Sequence, residues 1–210
     1  MILSRVFILS FIIFTTPSSV NANVILIMGD SLSAAYGIEL EQGWVNLLQN
    51  KLKQGQTGEI SWHVINASVS GETTAGALAR LPELLDTYKP QLCIIELGAN
   101  DGLRGMPLNY MQENLNEMIA QCKQYGQLLL IGMQLPPNYG KKYTEDFRHI
   151  FSLVSKNNEI AFLPFLLGGF SKESKYFQAD GFHPTAAAQE KILVNVWPVL
   201  FPLLSKWDLK

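Results

Sequence analysis

From Val24 onward the chain alternates short apolar runs with longer segments in which apolar residues recur every three or four positions. Val24–Met28 is wholly apolar, as suits a parallel strand covered on both faces. Gln91–Leu97 and Gln127–Ile131 are near-continuous apolar runs of the same kind. Ile60–Ile65 mixes polar and apolar residues, which predicts an edge strand, and Ile160–Leu163 is a weaker fifth run. Between them Leu78, Leu81, Leu85 and Tyr88 keep helical spacing, and Pro82 is expected to break that helix or to start a second one. Met111, Leu115, Met118 and Cys122 form another stripe, with Gly126 as the expected C-terminal cap. Tyr143, Phe147, Ile150 and Val154 form a third. A last helix is predicted from near Thr185, ending or kinking around Pro198 and Pro202. These Met and aromatic stripes read as core.

Alternating strands and helices imply an α/β fold, a three-layer α/β/α sandwich on a five-stranded, mainly parallel sheet. Crossovers should be right-handed, and ligands should bind at the carboxyl ends of the strands. With a flavodoxin-like strand order, the ends of the first and third strands would lie side by side. No repeat or linker divides the chain, so residues 23–210 are expected to form one domain.

Residues 1–22 have the pattern of an export leader. Arg5 supplies a positive charge, Val6–Phe14 is apolar apart from Ser10, and Val20 and Ala22 place small residues before a cut after Ala22. The run is short for a membrane span, which takes about 20 residues. A periplasmic or secreted protein with no membrane span in its mature part is therefore expected. The formal net charge is −2, one unit more negative without the leader. That mild acidity argues against nucleic acid as a partner. Export would permit a disulfide between Cys93 and Cys122, the two cysteines. A helix packed on a sheet, however, usually keeps its backbone beyond the roughly 7 Å that a bridge can span, so two buried thiols are expected.

Four loops carry candidate chemistry. The first strand runs into Gly29-Asp30-Ser31-Leu32-Ser33, which sets Ser31 at the sheet's carboxyl edge near an expected helix start. The second strand leads to Asn66 through Thr74, where Gly71 can offer an unobstructed backbone N–H and Thr73 or Thr74 can cap the next helix. After the third strand, Gly98-Ala99-Asn100-Asp101-Gly102 brings an amide donor, Asn100, toward the same edge. Near the C-terminus, Asp180-Gly181-Phe182-His183-Pro184 reads as a turn, because Pro184 disfavours a helical His183. A turn would bring Asp180 to His183, fixing the imidazole tautomer and freeing Nε2 to act on Ser31. Singly, each segment has an ordinary reading as a cap, a bend or a surface turn. Together they supply each group that a serine hydrolase needs.

The four blocks resemble those of SGNH (GDSL) hydrolases. The chain looks most like the bacterial thioesterase I / protease I / lysophospholipase L1 (arylesterase) group. That likeness extends through Leu78-Ala79-Arg80-Leu81-Pro82, Glu96 to Gly105 and Leu135 to Gly140. It implies an SGNH hydrolase fold, with Ser31 as nucleophile, His183 as general base and Asp180 orienting it. Backbone N–H groups of Ser31 and Gly71 and the Asn100 amide would form the oxyanion hole. It implies no metal and no organic cofactor. His63, His149 and His183 are in any case too widely spaced to suggest a metal site.

The implied substrates are small-molecule acyl esters, thioesters and lysophospholipids, and a monomer is expected. No Gly-x-Ser-x-Gly elbow surrounds Ser31, which disfavours the ordinary α/β-hydrolase fold. A carbohydrate O-deacetylase of the same fold and a catalytically silent lipid-binding module are the alternatives. Gly102 to Leu108 is expected to line or cover the acyl site.

Overall fold

A computed structural model describes residues 22–55 and 61–205. The predicted leader, apart from Ala22, lies outside them. The strands are β1 (Asn23–Gly29), β2 (Trp62–Asn66), β3 (Leu92–Glu96), β4 (Gln127–Ile131) and β5 (Ala161–Leu163). All neighbours pair in parallel in the order β2-β1-β3-β4-β5. The flavodoxin-like expectation therefore holds, and β2 is an edge strand as its mixed polarity suggested. That strand starts two residues later than expected, and Ile60 lies outside the described residues.

The helices are α1 (Trp44–Gly55), α2 (Thr74–Tyr88), α3 (Ala99–Leu103), α4 (Leu108–Cys122), α5 (Lys141–Asn157) and α6 (Ala186–Ser205). Helix α1 packs with α6 on one face of the sheet; α2, α4 and α5 pack in series on the other. Ile25–Met28 and Leu92–Ile95 have no solvent exposure at all, which is why these two strands read as unbroken apolar runs. Trp44, Phe147 and Phe151 are the largest side chains wholly enclosed between sheet and helices. Burial of each such side chain stabilises the fold by about 2–3 kcal/mol.

Three expectations about helix ends are corrected. Helix α2 is continuous through Pro82. Pro82 sits on the exposed side, where water can reach the carbonyl that loses its partner, while Leu81 and Leu85 anchor the opposite face. Likewise α6 does not end at Pro198 or Pro202, which lie four residues apart on one exposed face. Gly126 does not cap α4; the cap is Lys123, in right-handed helical conformation. Gly126 is required instead for a close approach, because a β-carbon there would stand 2.0 Å from the carbonyl oxygen of Gln91.

Candidate active site

Gly29 ends β1 beneath a crowded turn, where a β-carbon would come within 2.7 Å of Ser33 and of Ser68. The next residue, Asp30, is 1% exposed and folds the chain back on itself, its Oδ1 accepting the Leu32 N–H at 3.0 Å. Ser31 is thereby held at the tip of the bend. No regular helix follows it: residues 31–37 form successive turns, closed by the Tyr36 N–H donating to the Ser31 carbonyl at 3.1 Å. The expected helix start at Ser31 is therefore corrected to a turn. Ala35 at φ 58° and Gly37 at φ 74° interrupt helical geometry there.

The turn before Pro184 places Asp180 and His183 as their spacing predicts. Asp180 Oδ1 accepts the backbone N–H groups of Phe182 at 2.8 Å and His183 at 3.0 Å. Its Oδ2 lies 2.7 Å from His183 Nδ1. On the other side of the ring, Nε2 lies 2.9 Å from Ser31 Oγ. With Nδ1–H given to the carboxylate, Nε2 presents its lone pair to the hydroxyl. The two backbone bonds, from His183 and then Phe182, hold the Asp180 carboxyl down at about 2, and the bond to the His183 ring adds to them. The loop itself is clamped by the Gln178 N–H, which donates to the His183 carbonyl at 2.8 Å. Tyr36 covers one side of the imidazole, ring centre to ring centre 4.4 Å.

Asn100 is the second residue of α3, entered through Gly98 at φ 109°. Its Nδ2 donates one hydrogen to Asp30 Oδ2 at 3.2 Å, which leaves the other free. Gly71 has φ 79°. Its carbonyl accepts from Arg104 at 2.8 Å, which ties this loop to the end of α3. The Arg80–Glu72 ion pair and the bond from Asn66 Nδ2 to the Ser33 carbonyl fix the same loop from behind. Thr73 caps α2, accepting from the Gly76 N–H. Among the described residues, no group of the chain accepts the backbone N–H of Ser31 or of Gly71.

Ser31, Asn100, Asp180 and His183 line one cleft of about 860 Å³, whose walls include Leu103, Leu135, Pro136, Phe165, Leu167 and Phe177. Gly71 stands outside this lining, joined to it through Arg104 and α3. Among the described residues, no Lys or Arg lines the cleft. Of the segment from Gly102 to Leu108, Leu103 alone lines it. Tyr139 and Tyr143 donate to its Leu103 and Met106 carbonyls, and through Leu103 the segment lines the cleft as expected. Cys93 and Cys122 are free, buried thiols. Their mutual contact and burial push the Cys93 thiol above its usual range. His63 and His149 are exposed on β2 and α5, and no three His, Cys, Asp or Glu side chains are grouped so as to hold a metal ion among the described residues.

Two carboxyls behind Ser31 were not anticipated from the sequence. Burial raises Asp30 to about 6, against the bond from Leu32. Glu96 is pushed well above the carboxylate range, first by complete burial and then by the nearby Asp30. The available signal was a charged residue ending the apolar run of β3.

A family model described as GDSL-like Lipase/Acylhydrolase matches residues 27–191. The chain is 48% identical to Esterase TesA of Pseudomonas aeruginosa over 87% of its length and 90% of that protein. It is 36% identical to Thioesterase 1/protease 1/lysophospholipase L1 of Escherichia coli, over 93% of its length and 91% of that protein. Among solved structures, the psychrotrophic esterase EstA from Pseudoalteromonas sp., inhibited by monoethylphosphonate, superposes with a TM-score of 0.81 at 40% identity. That match covers 87% of this chain and 99% of the esterase. A serine loop, an Asp–His turn and an amide donor meeting at one sheet edge accord with these likenesses, and the chain belongs to the GDSL-like lipase/acylhydrolase (SGNH hydrolase) family.

Proposed function

We propose that the protein hydrolyses carboxylic esters and thioesters of acyl chains through an acyl-enzyme on Ser31. The observation that carries this reading is the unbroken hydrogen-bonded line Asp180–His183–Ser31, with contacts of 2.7 and 2.9 Å, opening onto an apolar cleft. Oγ of Ser31 attacks the acyl carbonyl as His183 Nε2 takes its proton. Asp180 stabilises the imidazolium that forms and keeps the ring in register. The tetrahedral oxyanion lies against the free N–H groups of Ser31 and Gly71 and the unused hydrogen of the Asn100 amide. His183 then protonates the leaving alcohol or thiol, and a water molecule repeats the sequence on the acyl-enzyme.

Relatives named as esterase, thioesterase and lysophospholipase support acyl esters and thioesters as the substrate class. The largely apolar wall, to which no Lys or Arg of the described residues contributes, favours an acyl chain over an anionic group inside the cleft. No helix among the described residues is long and apolar enough to cross a membrane. The leader pattern of residues 1–22 supports an exported domain over residues 23–210, in the periplasm or medium. Acyl-CoA, an abundant cytosolic thioester, is then not its natural substrate.

The test is hydrolysis of p-nitrophenyl esters from acetate to palmitate by the protein and by Ser31→Ala. Turnover should peak at medium or long chains and vanish in a folded variant. Turnover of acetate alone would point to a deacetylase, and a wild-type protein without turnover would point to a binding module.

A further inference from the structure

The most heavily buried carboxyl among the described residues lies directly behind the nucleophile loop. Glu96 is the last residue of β3, in register with Gly29 on β1, and it has no solvent exposure. No Lys, Arg or His pairs with it among the described residues. An isolated carboxylate in such a place would cost several kcal/mol, so a buried acid without a counter-ion stays protonated and serves as a neutral hydrogen-bonding group.

Its Oε2 holds both flanks of Ser31. It accepts the Asp30 N–H at 3.4 Å and the Ser33 hydroxyl at 2.8 Å. Ser33 Oγ in turn accepts the Trp44 indole N–H at 3.2 Å. The Trp44 backbone N–H donates at 3.0 Å to the side-chain carbonyl of Gln189, a buried residue of α6. One line of buried bonds thus runs from the end of β3 through the nucleophile loop to the helix that follows His183. Asp30, whose backbone Glu96 grips, also accepts from the Asn100 amide.

We propose that Glu96 is a positioning residue for this hydrolase, holding the Asp30–Ser33 bend so that Ser31 Oγ stays in line with His183 and the Asn100 amide stays aimed at the reacting carbonyl. The proposal rests on the reading of Ser31 as nucleophile. A carboxamide can still accept at the Oε2 position, whereas a leucine of similar size cannot. Without the grip, Ser31 keeps its neighbours but loses its alignment, and a displacement of about 1 Å at a reacting centre lowers rates by about 10²-fold.

The experiment compares Glu96→Leu and Glu96→Gln with the wild type. The readouts are kcat and KM on p-nitrophenyl octanoate and the rate at which a fluorophosphonate labels Ser31. Glu96→Leu should lower kcat by about 10- to 100-fold with KM changed by less than about threefold, and should slow labelling to a similar extent. Glu96→Gln should recover most of both losses. A folded Glu96→Leu enzyme with wild-type kcat and labelling overturns the proposal, as does a Glu96→Gln enzyme as slow as Glu96→Leu.

If Glu96→Leu does not fold, Ser33→Ala decides, because it removes only the hydroxyl at the middle of the line. A kcat lowered by about fivefold or more supports the proposal and a wild-type kcat overturns it. Wild-type protein that is not labelled at Ser31 removes the nucleophile reading, and the proposal with it. Labelled wild type beside an equally fast Glu96→Leu removes the proposal alone.

Discussion

His183 Nε2 stands 2.9 Å from Ser31 Oγ although the two residues are 152 positions apart in the chain. The contact joins a turn at the end of β1 to a turn just before α6, both at the carboxyl edge of the sheet. The contact is of hydrogen-bonding length, as proton transfer from Ser31 to His183 would require.

Asp180→Asn should lower kcat by about 10²- to 10⁴-fold. The amide oxygen can still accept from the Phe182 and His183 N–H groups, but its NH₂ would face Nδ1 and force the other tautomer, which presents a donor to Ser31. The side chain of Asp180 is 40% exposed, and solvent access places the loss below that of a fully buried carboxylate. Steady-state kinetics on a medium-chain p-nitrophenyl ester would check this, and a loss of less than tenfold would remove Asp180 from its orienting role.

Asn100→Ala should lower kcat by about 10²- to 10³-fold with little change in KM, as expected for a donor engaged with the oxyanion and not with the bound ester. It also frees Asp30 Oδ2, which now accepts the Asn100 amide. An unchanged kcat would move the oxyanion hole elsewhere.

Acid should destabilise the fold partly through Asp180. Its carboxyl is held at about 2, below an ordinary value of 3.8. A group depressed in the folded state stabilises it in full above its unfolded value, and that contribution disappears as pH falls through the folded value. Melting temperatures of wild type and Asp180→Asn should therefore differ at neutral pH and converge between about pH 4 and pH 2. A constant difference across that window would show that the carboxylate's charge is not what stabilises the turn.

Gly126→Ala should destabilise the protein by about 3 kcal/mol, measured by urea denaturation. The added methyl would meet the backbone of Gln91, which cannot move without disturbing the start of β3 and the Gln127 N–H bond to the Gln91 carbonyl. A neutral effect would mean that the connection between α4 and β4 yields easily.

Much of this architecture was legible from local patterns. Val24–Met28 and Gln91–Leu97 read as central strands because both faces are covered, so both must be apolar. Asp180 and His183 could be paired from sequence because a turn before a proline brings residues three apart together. The misreadings share one cause. Pro82, Pro198 and Pro202 break helices in isolation, yet here the packed faces of α2 and α6 hold the helix while each proline faces water. Gly126 looked like a cap, but the reason for a glycine there is a backbone atom 35 residues earlier in the sequence.

The sequence by itself determined the alternation of strands and helices, the sharp turn at Asp180–His183 and the set of reactive side chains, because dihedral preference and apolar periodicity are properties of near neighbours. The tertiary structure decided which loops meet, that Arg104 ties the Gly71 loop to α3, and that Glu96 lies beneath Asp30 with no counter-ion among the described residues. These depend on strand order and on burial, which arise only when segments far apart in the chain close over one another and exclude water.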